Sequence, residues 1–297
     1  MHQRSAIIGV NGYIGQHLYN YLEANGNDVV GFGRSGMPKA SISQYQVLDV
    51  LNDHDFLNRF SEFDQVYYLA GRTGTLNSFS DFKGFFEINQ LGLCNLLNSL
   101  KNGSKMPRII YPSTRLVYKG SELSIEETGV QESKTIYAVS KLAGENTLMA
   151  FNSLYAIPYT VLRICVPYGN LLSMDYSYGT IGFFLNNARA GKDIILYGDG
   201  TLKRTFTHIS DLCSQLGLVG SSTEEPCFTL NSDGEAFSLF EVANLIAAKY
   251  GVGIQFKEWP GADLNIESGS TVFNSEKIRK TFSYSLQHKF SDWLNSF

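Results

Sequence analysis

The segment Gly9-Val-Asn-Gly12-Tyr-Ile-Gly15 constrains this chain more than any other, because of what stands on either side of it. Ala6-Ile-Ile-Gly-Val10 is an apolar run with the length of a buried strand. Gln16-His-Leu-Tyr-Asn-Tyr-Leu-Glu-Ala24 reads as a helix, stopped by Gly26. Asp28-Val-Val-Gly-Phe32 is a second strand. Strand, glycine turn, helix and strand within about 30 residues is the setting in which glycines let the backbone approach a pyrophosphate. The charge then rests on a helix N-terminus. The reading is a dinucleotide site centred on Gly9, Gly12 and Gly15.

At the end of the second strand an NAD site calls for an acid on the ribose. The segment there is Gly31-Phe-Gly33-Arg34-Ser35: Gly33 takes the acid's place and a cation follows. A carboxylate repels a 2′-phosphate, whereas a guanidinium pairs with it and can stack on adenine. The expected cofactor is NADP(H), with NAD(H) as the alternative.

The alternation continues. Gln44-Tyr-Gln-Val-Leu48 reads as a strand whose following Asp49 could reach the adenine amine, and a short helix begins at Asp53. Asp64-Gln-Val-Tyr-Tyr-Leu-Ala70 is another strand, ending at Gly71. A helix is expected over about Phe85–Lys101, then a strand at Arg108-Ile-Ile-Tyr111 that ends in Pro112-Ser-Thr114. Repeated strand and helix with short joins means an α/β fold: a doubly wound parallel (Rossmann) sheet, here with a smaller C-terminal substrate-binding lobe. Residues 1–169, with a returning segment 208–233 that includes the strand Phe228-Thr-Leu-Asn231, form the nucleotide-binding domain. Residues 170–207 and 234–297 form the lobe, with helices at Phe183–Arg189 and Phe240–Lys249, the latter stopped by Gly251.

Ligands in such sheets bind beyond the carboxyl ends of the strands, where Thr114 lies. Tyr137-Ala-Val-Ser-Lys141 opens a helical segment that runs through Leu142-Ala-Gly-Glu-Asn-Thr-Leu-Met149. Positions i and i+4 share a helix face, so Tyr137 and Lys141 point the same way. A nearby cation favours the phenolate and lowers the phenol from its ordinary value of about 10, giving a proton donor and acceptor near neutral pH.

Composition narrows the function. The 297 residues are 43% hydrophobic with net charge −4, enough for one large domain or two small ones. This mild acidity argues against nucleic-acid or anionic-membrane partners. No apolar run reaches the ~18 residues of a bilayer span. Met1-His-Gln-Arg-Ser5 leads straight into a strand rather than a signal peptide. Cys94, Cys165, Cys213 and Cys227 are scattered among apolar neighbours and form no Cys-x-x-Cys pair, which suits reduced thiols in a cytoplasm. The five histidines form no metal cluster.

These segments together resemble the extended short-chain dehydrogenases/reductases, the branch acting mostly on nucleotide-diphosphate sugars, over nearly the whole chain. Gly9, Gly12 and Gly15 match that family's Gly-x-x-Gly-x-x-Gly fingerprint, Leu48-Asp49 its adenine-side aspartate and Leu69-Ala-Gly71 its fourth-strand turn. Asn89-Gln-Leu-Gly-Leu-Cys-Asn-Leu-Leu97 matches a helix signature with a structural-catalytic asparagine. Pro112-Ser-Thr114 matches the strand with the catalytic hydroxyl, and Tyr137/Lys141 the acid/base pair. Gly191-Lys-Asp-Ile-Ile-Leu-Tyr197-Gly-Asp-Gly200 and Arg204-Thr-Phe-Thr-His208-Ile-Ser-Asp211 match the nucleotide-sugar segment.

The resemblance implies that Thr114, Tyr137, Lys141 and Asn89 are catalytic, Asn89 by ordering a water that links Lys141 to solvent. Around the cofactor it implies Asn11, Tyr13, Ile14, Ser35, Val50, Leu69, Ala70, Gly71, Ile164 and Val166. These join the three glycines, Arg34, Asp49, Tyr137 and Lys141. Toward the substrate it implies Arg72, Thr73, Thr114, Arg115, Asn170, Tyr178, Tyr197 and Arg204, with Arg204 on the diphosphate. Two departures matter. Val166 stands where many members carry asparagine, leaving Asn170 as another source of that contact. Arg115-Leu116 replaces the Asp-Glu of the 4,6-dehydratases, so dehydration is not expected. The resulting expectation is a cytoplasmic, homodimeric NADPH-dependent reductase of a nucleotide-linked 4-keto-6-deoxy sugar, of the kind used in deoxysugar and O-antigen biosynthesis. Its dimer would form through a four-helix interface including the Asn89 and Tyr137 helices. The alternatives are an NAD-dependent 4-epimerase and a non-catalytic dinucleotide-binding protein.

Overall fold

A computed structural model of the protein describes residues 3–39, 42–57, 59–103, 105–172, 178–222 and 227–296. Met1 and His2 of the N-terminal reading, residues 173–177 of the expected lobe and the side chain of Cys227 lie outside them. The other three cysteines form no disulfide. Among the described residues, no helix is long and apolar enough to cross a membrane.

The chain divides into two compact units: Met1–Val117, Ser133–Arg163 and Cys213–Leu230 in the first, Tyr118–Glu132, Ile164–Leu212 and Asn231–Phe297 in the second. The grouping differs from the sequence boundaries in placing Tyr118–Glu132 and residues 164–169 with the second unit and drawing the returning segment in to Cys213–Leu230.

The first unit is built on strands β1 (Arg4–Ile8), β2 (Asp28–Gly33), β3 (Tyr45–Val47), β4 (Gln65–Tyr68), β5 (Arg108–Thr114), β6 (Tyr159–Ile164) and β10 (Cys227–Asn231). They form one seven-stranded sheet in the order β10-β6-β5-β4-β1-β2-β3. β1 pairs in parallel with β2 and β4, β2 with β3, and β4 with β5. The order reverses at β1, the position at which a doubly wound sheet opens a crevice. β1, β2 and β4 are buried along nearly their whole length, as their unbroken apolar runs require of parallel strands with both faces covered. Beneath β2, Phe32, Phe56, Phe60 and Phe63 form an aromatic cluster, with Phe32 and Phe60 centroids 5.0 Å apart.

Two glycines fix the turn after β1. Gly9 has φ +93°, and a Cβ there would lie 2.5 Å from the amide nitrogen of Ala70. A Cβ on Gly15 would lie 2.6 Å from the Gly9 carbonyl. α1 (Tyr13–Ala24) can therefore start close against β1 only because both positions lack a side chain.

The helix expected at Phe85–Lys101 is present over residues 82–100, with a π-turn inside it. α2 (Asn77–Ser80) and α3 (Phe82–Phe86) precede a π-turn at Glu87–Leu91, and α4 (Gly92–Leu100) follows. The wide turn contains Asn89. α5 (Ile136–Tyr155) is continuous; Thr135 caps it by accepting the amide of Ala138 at 3.1 Å.

The second unit holds β7 (Val166–Tyr168), α6 (Gly179–Arg189), β8 (Ile194–Tyr197), β9 (Lys203–His208), β11 (Glu235–Ser238), α8 (Leu239–Tyr250) and β12 (Ile254–Lys257). α7 (Ile209–Ser221) runs on from β9. The strands make a three-stranded sheet, β11-β9-β7, and a two-stranded one, β12-β8. α8 begins with a reciprocal capping box between Ser238 and Glu241 and ends at Gly251 in the left-handed conformation.

Gly15→Ala should lower the free energy of unfolding by about 1–3 kcal/mol, since its methyl would force backbone rather than a side chain to move. Urea denaturation of the variant checks this. An unchanged midpoint would show that the turn relaxes freely.

Candidate functional site

A cleft of about 420 Å³ opens in the first unit beyond the ends of β1, β2, β3 and β4. Of the expected cofactor residues, Gly9, Asn11, Gly12, Arg34, Ser35, Asp49, Val50, Leu69, Ala70 and Gly71 line it. Arg72, expected on the substrate side, lines it too, as do Lys39 and Ile88, which the sequence reading did not single out. Tyr13, Ile14 and Gly15 form the first turn of α1, where no side chain caps the helix and no acid stands. Gly12 is exposed, and a Cβ there would meet only the Gly9 carbonyl, at 3.3 Å. The space in front of Gly12 and the uncapped helix end together fit a pyrophosphate.

The adenosine end is closed by a small network. Asn11 accepts the backbone amide of Lys39 at 2.9 Å and donates to the Tyr45 hydroxyl at 3.3 Å. Tyr45 in turn donates to the Ser35 carbonyl at 2.5 Å. A Cβ on Gly33 would stand 2.9 Å from the Tyr45 oxygen and 3.0 Å from the Asn11 amide nitrogen. An acid at Gly33 would therefore displace Tyr45. Arg34 and Lys39 are exposed on this rim. Asp49 is half-buried and accepts the amide of Leu51 at 3.0 Å.

The catalytic candidates share the same unit. Thr114 is buried at the end of β5, where its hydroxyl accepts the Leu116 amide at 3.3 Å. On α5, Tyr137 is half-buried and Lys141 is buried. The Tyr137 ring meets Phe85 edge-on with centroids 6.3 Å apart. Lys141 Nζ stands 3.9 Å from the centroid of the Tyr111 ring, a cation–π contact. Burial pushes Lys141 from 10.5 down to about 7, opposed by the carboxylate of Glu145 one helical turn on. Burial also raises Tyr111 well above its ordinary value, with Tyr137, Tyr68 and Glu145 adding to the effect, so it remains a neutral ring beneath the ammonium.

Asn89 is almost completely buried and acts as a clamp. Its Oδ1 accepts the Arg72 amide at 2.7 Å, while Nδ2 donates to the Arg72 carbonyl at 3.1 Å and to the Ser140 hydroxyl at 2.9 Å. Ser140 passes the bond on to the Tyr137 carbonyl at 2.8 Å. Both amide protons of Asn89 are thus used in joining the cleft loop to the Tyr137 turn. Water-ordering through the side chain would be left to Oδ1.

Of the substrate-side expectations in this unit, Thr73 is exposed and Arg115 is half-buried in the turn after β5. The exposed guanidinium of Arg72 is ion-paired with Asp81. In the second unit, Asn170 makes two bonds to the backbone of Leu172, each 3.1 Å. Tyr178 is partly exposed at the start of α6, and Tyr197 packs at 5.6 Å against Trp259. Ile164 ends β6 buried, and Val166 opens β7 half-buried. Arg204, expected on a diphosphate, is buried, bonds the carbonyls of Lys203 and Gly269, and pairs with Glu267 at 2.7 Å.

The sequence reading also passed over Glu145. Its spacing of four from Lys141 was the available signal. It is buried, receives the Ser113 hydroxyl, and is gripped by Arg163 through Nε at 3.1 Å and Nη2 at 2.5 Å.

Residues 6–225 match the profile of the NAD dependent epimerase/dehydratase family. The chain is 28% identical to UDP-glucuronate 4-epimerase 1 of Arabidopsis thaliana over 235 residues, 72% of this chain and 54% of that protein. It is 29% identical to the UDP-N-acetyl-alpha-D-glucosaminuronate decarboxylase of Bacillus cytotoxicus over 227 residues, 71% of this chain and 69% of that one. The matched region spans between 50% and 58% of the plant 4-epimerases. The structure of a UDP-glucuronic acid 4-epimerase from Bacillus cereus, in complex with UDP-glucuronic acid and NAD, superposes with TM-score 0.84 at 24% identity, covering 99% of this chain and 97% of that one. That likeness is one of fold.

Because Lys141 loses its proton more readily when folded, the unfolded chain binds the extra proton between pH about 7 and about 10.4, and stability rises with pH across that window. Lys141→Met should therefore stabilise the cofactor-free protein most at pH 6, with the advantage shrinking by pH 10. Thermal melts of both proteins across this range read it. A pH-independent difference would show that Lys141 titrates normally.

Proposed function

The chain belongs to the NAD dependent epimerase/dehydratase family, and we propose that it is a nicotinamide-dependent enzyme of nucleotide-diphosphate sugars that inverts a carbinol centre, a 4-epimerase. The observation that carries this reading is the α5 arrangement: Tyr137 one turn from a buried Lys141, in the same unit as Thr114 and the glycine cleft. Relatives named as UDP-glucuronate 4-epimerases and as a UDP-sugar decarboxylase support the substrate class. They also favour the epimerase over the reductase that the sequence reading placed first.

A bound nicotinamide would supply hydride chemistry at the sugar carbon, and inversion requires the keto sugar to turn over so that the hydride returns to its opposite face. The chain's own residues manage the oxygen. Tyr137 takes the hydroxyl proton as the carbonyl forms and gives it back when the alcohol is restored. The ammonium of Lys141 favours the phenolate. Thr114 donates a hydrogen bond to the same oxygen and stabilises charge that develops there. Asn89 keeps the Tyr137 turn and the cleft loop in register.

One observation favours a second reading, an NADPH-dependent 4-keto sugar reductase. Gly33 has no room for an acid beside Tyr45 and Asn11, and Arg34 and Lys39 stand at the rim where a 2′-phosphate would lie. A consumed reductant must exchange, which suits NADPH; an epimerase retains its cofactor.

A panel of UDP- and dTDP-sugars separates the two. The 4-epimerase converts UDP-glucuronate or UDP-glucose to its C4 epimer with no net change at 340 nm, whereas the reductase consumes NADPH in step with a 4-keto-6-deoxy sugar. Tyr137→Phe should lower kcat by about 10²–10⁴; a variant retaining a tenth of the rate removes Tyr137 from the mechanism. Arg34→Ala should weaken NADP(H) binding by roughly tenfold or more, leaving NAD(H) unchanged, if the guanidinium holds a phosphate. Equal effects on both cofactors would rule out that contact.

A further inference from the structure

The carboxylate of Glu145 is buried one turn beyond Lys141, and no step above uses it. It is tied to three parts of the site at once. Its own helix carries Tyr137 and Lys141. Ser113, which donates to Glu145, precedes Thr114 on β5. Arg163 on β6 grips both carboxylate oxygens, through Nε at 3.1 Å and Nη2 at 2.5 Å. Both members of the pair are buried, with side-chain exposures of 4% for Arg163 and 7% for Glu145. A buried pair of this kind is seldom a net source of stability, since removing two charges from water offsets much of their attraction. Its place beside the proposed acid/base pair therefore points to another effect.

We infer that Glu145 is a positioning residue for Tyr137 and Lys141: its carboxylate, pinned by Arg163 and Ser113, holds Lys141 as the ammonium and fixes the end of β5 that carries Thr114 against α5. This rests on the acid/base role proposed for Tyr137 and Lys141. The other groups packed about α5 do not substitute for it. Tyr111 and, behind it at 6.5 Å, Tyr68 are phenols raised by burial. Glu87 on the π-turn pairs with Lys83 at 3.7 Å, and Arg72 with Asp81. Arg115, in the turn after β5, is a cation and would oppose a charged Lys141. Glu145 alone is a buried carboxylate on the Lys141 face of the helix, and it pulls Lys141 upward against burial.

Glu145→Gln keeps the shape and an oxygen for Ser113 while removing the charge. The titration of Lys141 is read by NMR of [ε-¹³C]lysine-labelled full-length protein, its resonance assigned by loss in Lys141→Met. The midpoint should fall by about one pH unit in Glu145→Gln. If that variant is too unstable to titrate because Arg163 is left unpaired, Glu145→Gln/Arg163→Met removes both charges and should show a fall of the same sign. A midpoint within about 0.3 unit of the parent in the folded variant overturns the inference. In the active enzyme the basic limb of the kcat–pH profile should move down with the midpoint, costing about tenfold in kcat one unit above it. A shifted Lys141 midpoint without sugar turnover in the parent would leave Glu145's effect intact and remove the acid/base role; turnover with an unmoved midpoint would do the reverse.

Discussion

Three hydrogen bonds at one buried amide tie together the first unit's candidate site. Asn89 holds both backbone groups of Arg72 and, through Ser140, the backbone of Tyr137. The cleft loop after β4 and the start of α5 are far apart in sequence, and these bonds fix their mutual position directionally. The π-turn at Glu87–Leu91 is part of the same device. Such a wide turn disrupts regular helical pairing, an arrangement that recurs at functional sites because it re-aims one side chain. Here the turn contains Asn89.

The second constraint is electrostatic. In the proposed mechanism Lys141 acts on the Tyr137 phenol, yet its place beside Tyr111 strips it of water. Desolvation alone would leave it largely neutral near pH 7. The Tyr111 ring face and the Glu145 carboxylate act the other way, and Glu145 is itself paired with Arg163. The result is a lysine whose charge is poised rather than fixed, which suits the role proposed for it beside Tyr137.

Features that depend on local backbone chemistry were legible in the sequence. Gly9 and Gly15 announce a close strand–helix approach because no other residue fits, and the Tyr137–Lys141 spacing follows from helical geometry alone. Features set by distant partners were not. The π-turn around Asn89 was not legible, and the partners Asn89 bonds there, Arg72 and Ser140, lie 17 and 51 residues away in the chain. Arg204 was expected on the substrate diphosphate, and its pairing with Glu267, 63 residues on, had no local signal. The cost of an acid at Gly33 comes from Tyr45 and Asn11, neither adjacent to it in the chain.

That last contact also bears on how cofactor choice is built. An acid on the second strand selects NAD by a favourable bond to the ribose. This chain lacks the bond and fills the space with Tyr45, which is itself tied to Ser35 and Asn11. Restoring the acid would therefore take more than one substitution: Gly33 cannot gain a carboxylate unless Tyr45 gives way, and moving Tyr45 releases the loop bearing Arg34 and Lys39. Any discrimination at this rim would be a property of the whole Asn11–Tyr45–Ser35 network, with Arg34 and Lys39 exposed beside it.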